Sequence, residues 1–331
     1  MSVSRRHLLA SATLGLALHS LRGFANASLP FKKGDVVVGC TLLNDPNDDH
    51  RGRGRLLHYD AQLQLQQTIW LEQTTHIVQG VRFAPNGILW AFDAFAYQAI
   101  WLNREAKVQP TPSWPKRSFA HINFAQDGRY FLGENFVGER SRVPLKTTLP
   151  FLPGTRRYGD GFLYEFSPEH ELINVHKTPV HGGMGGFQGL TSSVLADSDR
   201  QLIYTSESGP RIMRWDLANR RPLPDLITHS DDSGRMFFEI RPDEQGNILV
   251  LTGLQVERYD LDGKLLNVLP LGSFGWASMS QPREGKVYLS NFFSGALACL
   301  DLQSGQIIAR AETAIRKSAS GLDTCPWSAA L

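Results

Sequence analysis

The sequence contains little cysteine: its 331 residues include three, at positions 40, 299 and 325. None lies in a C-x-x-C or C-x-x-C-H pattern, so nothing indicates a covalently attached c-type haem. An oxidising compartment would permit disulfides. Because the count is odd, at least one thiol must stay free or pair with another chain.

The chain also lacks an excess of charge of either sign. It has 34 Lys and Arg against 32 Asp and Glu. Removing the three arginines of residues 1–27, a segment without acidic residues, leaves 31 basic side chains against the same 32. This balance gives no broad electrostatic case for binding nucleic acid or an anionic membrane. After residue 27 no apolar run is long enough to span a bilayer.

The first 27 residues have the features of a secretory signal. Arg5 and Arg6 precede a mostly apolar run, and Ala25-Asn26-Ala27 supplies the small residues of a cleavage site. The motif Ser4-Arg5-Arg6-His7-Leu8-Leu9 resembles a bacterial twin-arginine signal, and an ordinary signal that happens to hold two arginines is the alternative. We therefore predict a signal peptide over residues 1–27 and delivery of the mature chain to the periplasm.

Residues 28–331 read as a repeat of short strands. Helical periodicity is nearly absent, and short apolar runs alternate with Gly, Pro, Asn and Asp. A strand that ends in an apolar or aromatic residue, followed by a turn former, recurs six times. The copies end at Tyr59-Asp60, Leu102-Asn103, Phe166-Ser167, Trp215-Asp216, Tyr259-Asp260 and Leu300-Asp301. Hairpins with Asn-Gly or Asp-Gly turns precede several copies. Four strands per unit at this spacing predict the blades of a β-propeller.

The repeated units resemble the NHL and SMP-30/gluconolactonase-like propellers over residues 34–327. The resemblance implies an all-β, six-bladed propeller that occupies residues 28–331 as a single domain. Residues 320–326 align with residues 79–85, so we expect the C-terminus to supply the inner strand of the first blade and close the ring. The same alignment places Cys40 and Cys325 at different heights, beyond the roughly 7 Å limit for a disulfide.

Four long loops are expected to leave the propeller on the same face, which we call the looped face. They span residues 44–55, 137–160, 179–186 and 229–237. Binding residues are often found on such loops above a rigid scaffold. The second loop is basic and contains Arg140 and Arg142, so we expect it to favour an anionic small molecule; a solvated basic loop is the alternative.

Polar residues recur where strands open toward the central channel on this face. At the ends of second strands stand Asp93, Glu134, Ser206-Glu207, Thr252 and Asn291. At the starts of inner strands stand Gln79, His121, Gln188, Glu239, Ser278 and Ser320. Charged groups in a channel are costly unless they are paired or bound to a metal. The pattern therefore predicts a cation site or a cluster of general acids and bases.

The resemblance implies specific roles for these residues. In SMP-30-like enzymes a divalent ion in the channel polarises a lactone carbonyl while a carboxylate activates water. By position, the ligands here would be Asp93, Glu134, Glu207 and Asn291, with Ca²⁺ as the expected cation and Mg²⁺ or Zn²⁺ as alternatives. Glu239 and His121 are the candidate general bases, and Gln188, Arg140 and Arg142 are the candidate ligand-binding residues.

The sequence is compatible with two functions. One is a periplasmic hydrolase that acts on a small lactone or ester with a divalent cation. The other is a non-catalytic propeller that binds a small molecule or an envelope protein through its looped face, where aromatic residues such as Phe95, Phe292 and Phe293 are expected.

Overall fold

The protein is an all-β propeller of six blades, as the repeat predicted. A computed structural model describes residues 28–48, 51–137, 151–152, 154–156, 158–180, 188–206 and 209–328. Within these residues, 24 strands form six antiparallel four-stranded sheets. No helix in this part of the chain is long and apolar enough to cross a membrane. The predicted signal peptide lies outside the described residues.

The strands follow one another along the chain in blade order. The first three blades contain β1 (Val36–Leu43), β2 (Gly52–Tyr59), β3 (Leu65–Trp70), β4 (Gln79–Phe83), β5 (Leu89–Asp93), β6 (Gln98–Leu102), β7 (Val108–Gln109), β8 (Phe119–Phe124), β9 (Tyr130–Glu134), β10 (Leu163–Phe166) and β11 (Leu172–His176). The last three contain β12 (Leu190–Ala196), β13 (Gln201–Ser206), β14 (Arg211–Asp216), β15 (Arg221–Thr228), β16 (Glu239–Pro242), β17 (Ile248–Leu251), β18 (Gln255–Tyr259), β19 (Leu265–Pro270), β20 (Trp276–Met279), β21 (Lys286–Asn291), β22 (Ala296–Asp301) and β23 (Ile307–Glu312). The final strand, β24 (Gly321–Thr324), returns to blade 1.

Burial is greatest in the second strands and lowest in the outer strands, and the sequence of each strand reflects its place. The second strands β5 and β9 are buried at every residue, because both of their faces pack against neighbouring blades. They therefore read as nearly continuous apolar runs. The outer strand β19 is exposed at five of its six residues and mixes apolar with polar side chains. The core consists of apolar clusters between successive blades.

The C-terminal strand closes the ring, as the alignment predicted. β24 pairs with β1 in antiparallel register, from Val36 opposite Thr324 to Gly39 opposite Gly321. Leu322 joins the apolar cluster of blades 1 and 6, and Trp327 packs beyond the strand. The three cysteines are buried and free.

The strand ends that flank the long loops lie on one face, as predicted from the strand order. In every blade the start of the inner strand lies beside the end of the second strand, so loops that leave second strands and loops that enter inner strands share this face. The first loop is shorter than predicted, because β2 already begins at Gly52. Arg140 and Arg142, in the basic loop, lie outside the described residues.

Candidate functional site

A cavity of about 360 Å³ lies at the looped-face end of the central channel. Its wall comes from the first residues of the inner strands and from residues that follow the second strands. The polar inner-strand residues singled out by the alignment all line it, namely Gln79, His121, Gln188, Glu239, Ser278 and Ser320. The repeat register therefore places these side chains correctly, including three candidate catalytic or ligand-binding residues.

Four inner strands, β4, β8, β12 and β20, shift register near their start. In β8, for example, Phe119 and His121 have successive partners on β9, and Ala120 between them has none. Gly80, Thr191 and Ala277 lie at the corresponding shifts. β16 and β24 pair regularly, and the residues just before them, Phe238 and Ser320, donate their N–H groups to the second strand. All six line the cavity. Bulges commonly redirect side chains in this way. Because five of the six are small, the channel stays open here.

Charged side chains cross the channel deeper along the inner strands, in an arrangement that we call the channel floor. Arg82 of blade 2 reaches Glu239 of blade 5, the opposite blade, with 3.8 Å between Nη2 and Oε1. The same guanidinium lies 3.6 Å from Oδ1 of Asp323 in blade 1. Arg241 pairs with Glu239 inside blade 5. The floor thus holds two cations and two anions, which compensate one another in a buried setting.

Polar side chains of the inner strands also bond one blade to the next. The N–H of Ser193 donates to His121 Nε2 over 3.0 Å, from blade 4 to blade 3. Ile240 N–H donates to Ser192 Oγ over 3.0 Å in the same way. Met279 N–H donates to Glu239 Oε2 over 2.9 Å. An inner strand has a strand partner on one edge only, so its channel-side amides need other acceptors. These inter-blade bonds supply them.

Asp323 completes the pattern where the ring closes. Its carboxylate, fully buried, accepts the N–H of Phe83 in blade 2 and of Gln281 in blade 6, each at 3.0 Å. A single side chain on β24 therefore connects blade 1 to both of its neighbours. The closing strand is held by these bonds as well as by its pairing with β1.

The two candidate general bases are both engaged in this framework. Burial, together with the positive charges of Arg241 and Arg82, holds the pKa of His121 well below its usual range, so the ring is neutral. Its Nε2 lies 3.0 Å from both the nitrogen and the carbonyl oxygen of Ser193, so it is bonded to blade 4 in either neutral tautomer. Glu239 lies between Arg241, Arg82 and the Met279 amide. Both residues line the cavity, and both make hydrogen bonds to a neighbouring blade.

Polar side chains at the ends of the second strands form hydrogen bonds with the loops and hold them in place. Asp93, fully buried, accepts the N–H groups of Thr75, His76 and Ala96, each at 2.9 Å. Burial raises the pKa of Asp93, although these amides oppose the rise. Asn291 is used similarly: its Oδ1 accepts two amides of the following loop, and its Nδ2 donates to Phe274 O.

Glu134 occupies the equivalent place in blade 3 and is also fully buried. Its Oε2 accepts the N–H of Asp160 at 2.6 Å and of Gly161 at 3.0 Å, and Arg117 lies 3.2 Å from Oε1. Burial raises the pKa of Glu134 to about 7, against the opposing effects of Arg117 and the amides. This side chain therefore anchors the returning end of the basic loop.

The raised pKa gives an expected pH dependence. Between its ordinary pKa of 4.5 and about 7, Glu134 keeps its proton in the folded chain but loses it in the unfolded chain. The free energy of unfolding should therefore fall as the pH rises through this range, by at most about 3 kcal/mol, at about 1.4 kcal/mol per pKa unit. Urea unfolding of wild type and Glu134→Gln at pH 5 and pH 8 measures this component, which the substitution should remove.

Glu171→Gln, at an exposed position, is the matched control and should keep the wild-type difference. A Glu134→Gln variant with the same pH dependence as wild type would show that Glu134 does not titrate in this range.

The predicted metal ligands do not come together among the described residues. Asp93, Glu134 and Asn291 each bond to loops of their own part of the ring, and none of them lines the cavity. Within the described ranges, no three His, Cys, Asp or Glu side chains are arranged to hold a metal ion. Glu207 lies outside these ranges. The three predicted ligands that the structure describes, Asp93, Glu134 and Asn291, thus do not converge on one cation.

Phenylalanines surround the mouth of the cavity. Phe95, Phe238, Phe292 and Phe293 line it. Phe292 and Phe293 contact edge to face with 5.4 Å between their ring centroids, and Phe274 stacks on Phe293 at 5.9 Å. We call Phe95, Phe238, Phe274, Phe292 and Phe293 the phenylalanine rim. The rim is apolar, and the wall below it is mostly polar.

Several residues of this site were not predicted from the sequence. They are Arg82, Asn135, Thr191, Phe238, Arg241 and Asp323. The three charged residues could have been found, because each stands in a short inner strand. A charge in such a strand is costly unless it is paired, which predicts a buried partner nearby. No comparable pattern marks Asn135, which follows β9 and lines the cavity.

Comparisons with known proteins agree on the architecture. No protein-family model matches the sequence, and no curated protein matches it. A chain of a nidogen/laminin complex is 10% identical, with a TM-score of 0.59, 88% of this chain covered and 99% of that chain. Virginiamycin B lyase from Staphylococcus aureus is 10% identical, with a TM-score of 0.51 and coverages of 87% and 92%. A protein of unknown function from Bacteroides caccae is 10% identical, with a TM-score of 0.59 and coverages of 88% and 98%. At such identities these similarities show the fold alone.

Proposed function

We propose that this propeller binds a small molecule in the channel cavity and admits it from the looped face. The observation that carries the proposal is the cavity itself, which has a wall of small residues, an apolar rim and a charged floor. Its size falls in the range of roughly 300–1,000 Å³ that is usual for small-molecule sites. Because Arg82 and Glu239 contact each other across the channel floor, we expect a ligand to enter the cavity from the side of the phenylalanine rim.

A small molecule is favoured over a protein partner at this face. Phe95, one of the aromatic residues expected to contact a partner, is buried and packs on buried Phe136 with 5.1 Å between their ring centroids. Phe292 and Phe293 line the cavity. The aromatic residues therefore surround a pocket rather than forming a broad flat patch. Delivery to the periplasm, from the predicted signal, remains part of the proposal.

The hydrolase predicted from the resemblance is the alternative proposal. It would use the same cavity, and Glu239 and His121 would be its bases. Their engagement in inter-blade bonds argues for binding without turnover. Mass spectrometry of a bound ligand after prolonged incubation separates the two functions: a product would support the hydrolase, and an unchanged ligand would support the binder.

A cavity-filling variant tests the binding proposal. Ala277 is a partly exposed residue of the cavity wall, so Ala277→Phe places a ring in the cavity without removing a polar contact. We expect a thermal-shift screen of small molecules to give ligands that raise the melting temperature of wild type and have no effect on Ala277→Phe.

Ala218→Phe adds the same ring to an exposed turn and is the matched control. It should bind every ligand as wild type does. Ligands that stabilise wild type and Ala277→Phe equally, or a broad screen without any ligand, would contradict the proposal.

A further inference from the structure

We infer that the ligand of the channel cavity is an uncharged molecule with an apolar ring or chain and a carbonyl group that accepts hydrogen bonds. The inference rests on the proposed function, because it concerns the same cavity. It depends on three observations: the charge balance of the floor, two amide groups on the wall, and the composition of the rim.

Charge balance argues against an ionic ligand. The charged side chains that line the cavity are Glu239 and Arg241, and they pair with each other. Below them Arg82 faces both Glu239 and Asp323. Every cation that the structure describes in this part of the channel therefore already has an anion. A charged ligand would lose its hydration without gaining an uncompensated opposite charge, which is unfavourable.

Two side-chain amides supply hydrogen-bond donors. Asn135 is 3% exposed, and its Nδ2 has no hydrogen-bond partner among the described residues. Nε2 of Gln79 is likewise buried and without a partner there. Both residues line the cavity. Because the two nitrogens have almost no accessible surface, each amide must rotate to donate to a ligand. A buried donor left unpaired costs free energy, and a ligand carbonyl would remove this cost without bringing a charge.

The phenylalanine rim determines the chemistry of the other part of the ligand, which must be apolar. Phe95, Phe238, Phe292 and Phe293 present ring faces and edges around the mouth, where an apolar ring or chain can pack. Phe293 is 46% exposed, so this surface is open to a ligand. The polar group of the ligand would lie toward Gln79 and Asn135, and its apolar part would lie against the rim.

Three probes that share a phenylpropyl group test the head-group chemistry: 3-phenylpropanamide, 3-phenylpropanoate and 3-phenylpropylamine. Their affinities at pH 7 are compared by ligand-observed NMR. We expect the amide to bind at least about tenfold more tightly than either charged probe. Asn135→Leu and Gln79→Leu should each reduce this advantage severalfold, because each removes a donor and keeps an apolar side chain of similar size.

Gln62→Leu, on an exposed turn, is the matched control and should bind like wild type. Tighter binding of the carboxylate or the amine, lost in Ala277→Phe, would overturn the inference and leave the proposed function standing. If none of the probes binds, the inference is overturned. The proposed function fails with it only if the wider screen also yields no ligand that Ala277→Phe excludes.

Discussion

Ending the chain after Lys317 should abolish the cooperative unfolding transition of the whole propeller. The truncation removes β24, so β1 loses its inner partner and the ring opens between blades 6 and 2. It also removes buried Leu322 and Trp327 and the two amide contacts of Asp323. This loss is comparable with the roughly 5–15 kcal/mol that holds a typical domain together. Circular dichroism melting and size-exclusion chromatography measure the outcome.

A synthetic peptide of residues 318–331 provides the rescue. Added in excess, it should restore a melting transition, because it supplies β24 in trans. Asp323→Ala in the full chain is a milder test and should lower the melting temperature, whereas Asp232→Ala, at an exposed position, should not. A truncated chain that melts like the full protein would show that β24 is dispensable for closure.

The second large effect is expected at Glu239. Glu239→Ala leaves Arg241 without its anion and Arg82 with Asp323 alone, and it removes the acceptor for Met279 N–H. Breaking a buried ion pair from one side typically costs about 3–5 kcal/mol, because a charge stays buried without compensation. We expect a loss of this size in the free energy of unfolding, measured by urea denaturation.

A double variant separates the effect of the uncompensated charge on stability from the effect of lost packing. Adding Arg241→Met to Glu239→Ala removes the cation that the single variant leaves without its anion, so the double variant should recover part of the stability lost in the single variant. Glu312→Ala, at an exposed position of β23, is the control and should stay within about 0.5 kcal/mol of wild type. If Glu239→Ala keeps wild-type stability but loses turnover of an ester, Glu239 is a catalytic residue rather than part of the framework.

The register of the inner strands was predictable because it depends on local chemistry. Turn residues fix where each hairpin reverses, and apolar runs fix the strands on either side. Aligning residues 79–85 with 320–326 therefore placed Gln79 and Ser320 at the cavity and identified β24. The same alignment sets Arg82 against Asp323, opposite charges in neighbouring blades that face each other in the structure. This complementarity was present in the sequence and was overlooked.

The partners of the second-strand residues were not predictable in the same way. A carboxylate at the end of a buried strand needs donors, and the sequence does not distinguish a metal ion from backbone amides. For Asp93 and Glu134 the donors come from loops, whose path depends on the rest of the fold. Thr191 enters the cavity at a register shift of β12 and was missed because an even alternation places it on the other face.

The closing strand also has a consequence for how the protein is made. Val36, near the start of the first strand, pairs with Thr324, near the end of the chain, so nearly the whole polypeptide lies between two adjacent strands. Contacts of such long sequence separation form slowly. During synthesis the first blade has no inner strand until β24 has left the ribosome, and until then β1 has one unpaired edge. An unpaired edge of this kind favours pairing with other chains. The synthesis of β24 therefore determines when the newly made propeller stops being vulnerable to aggregation.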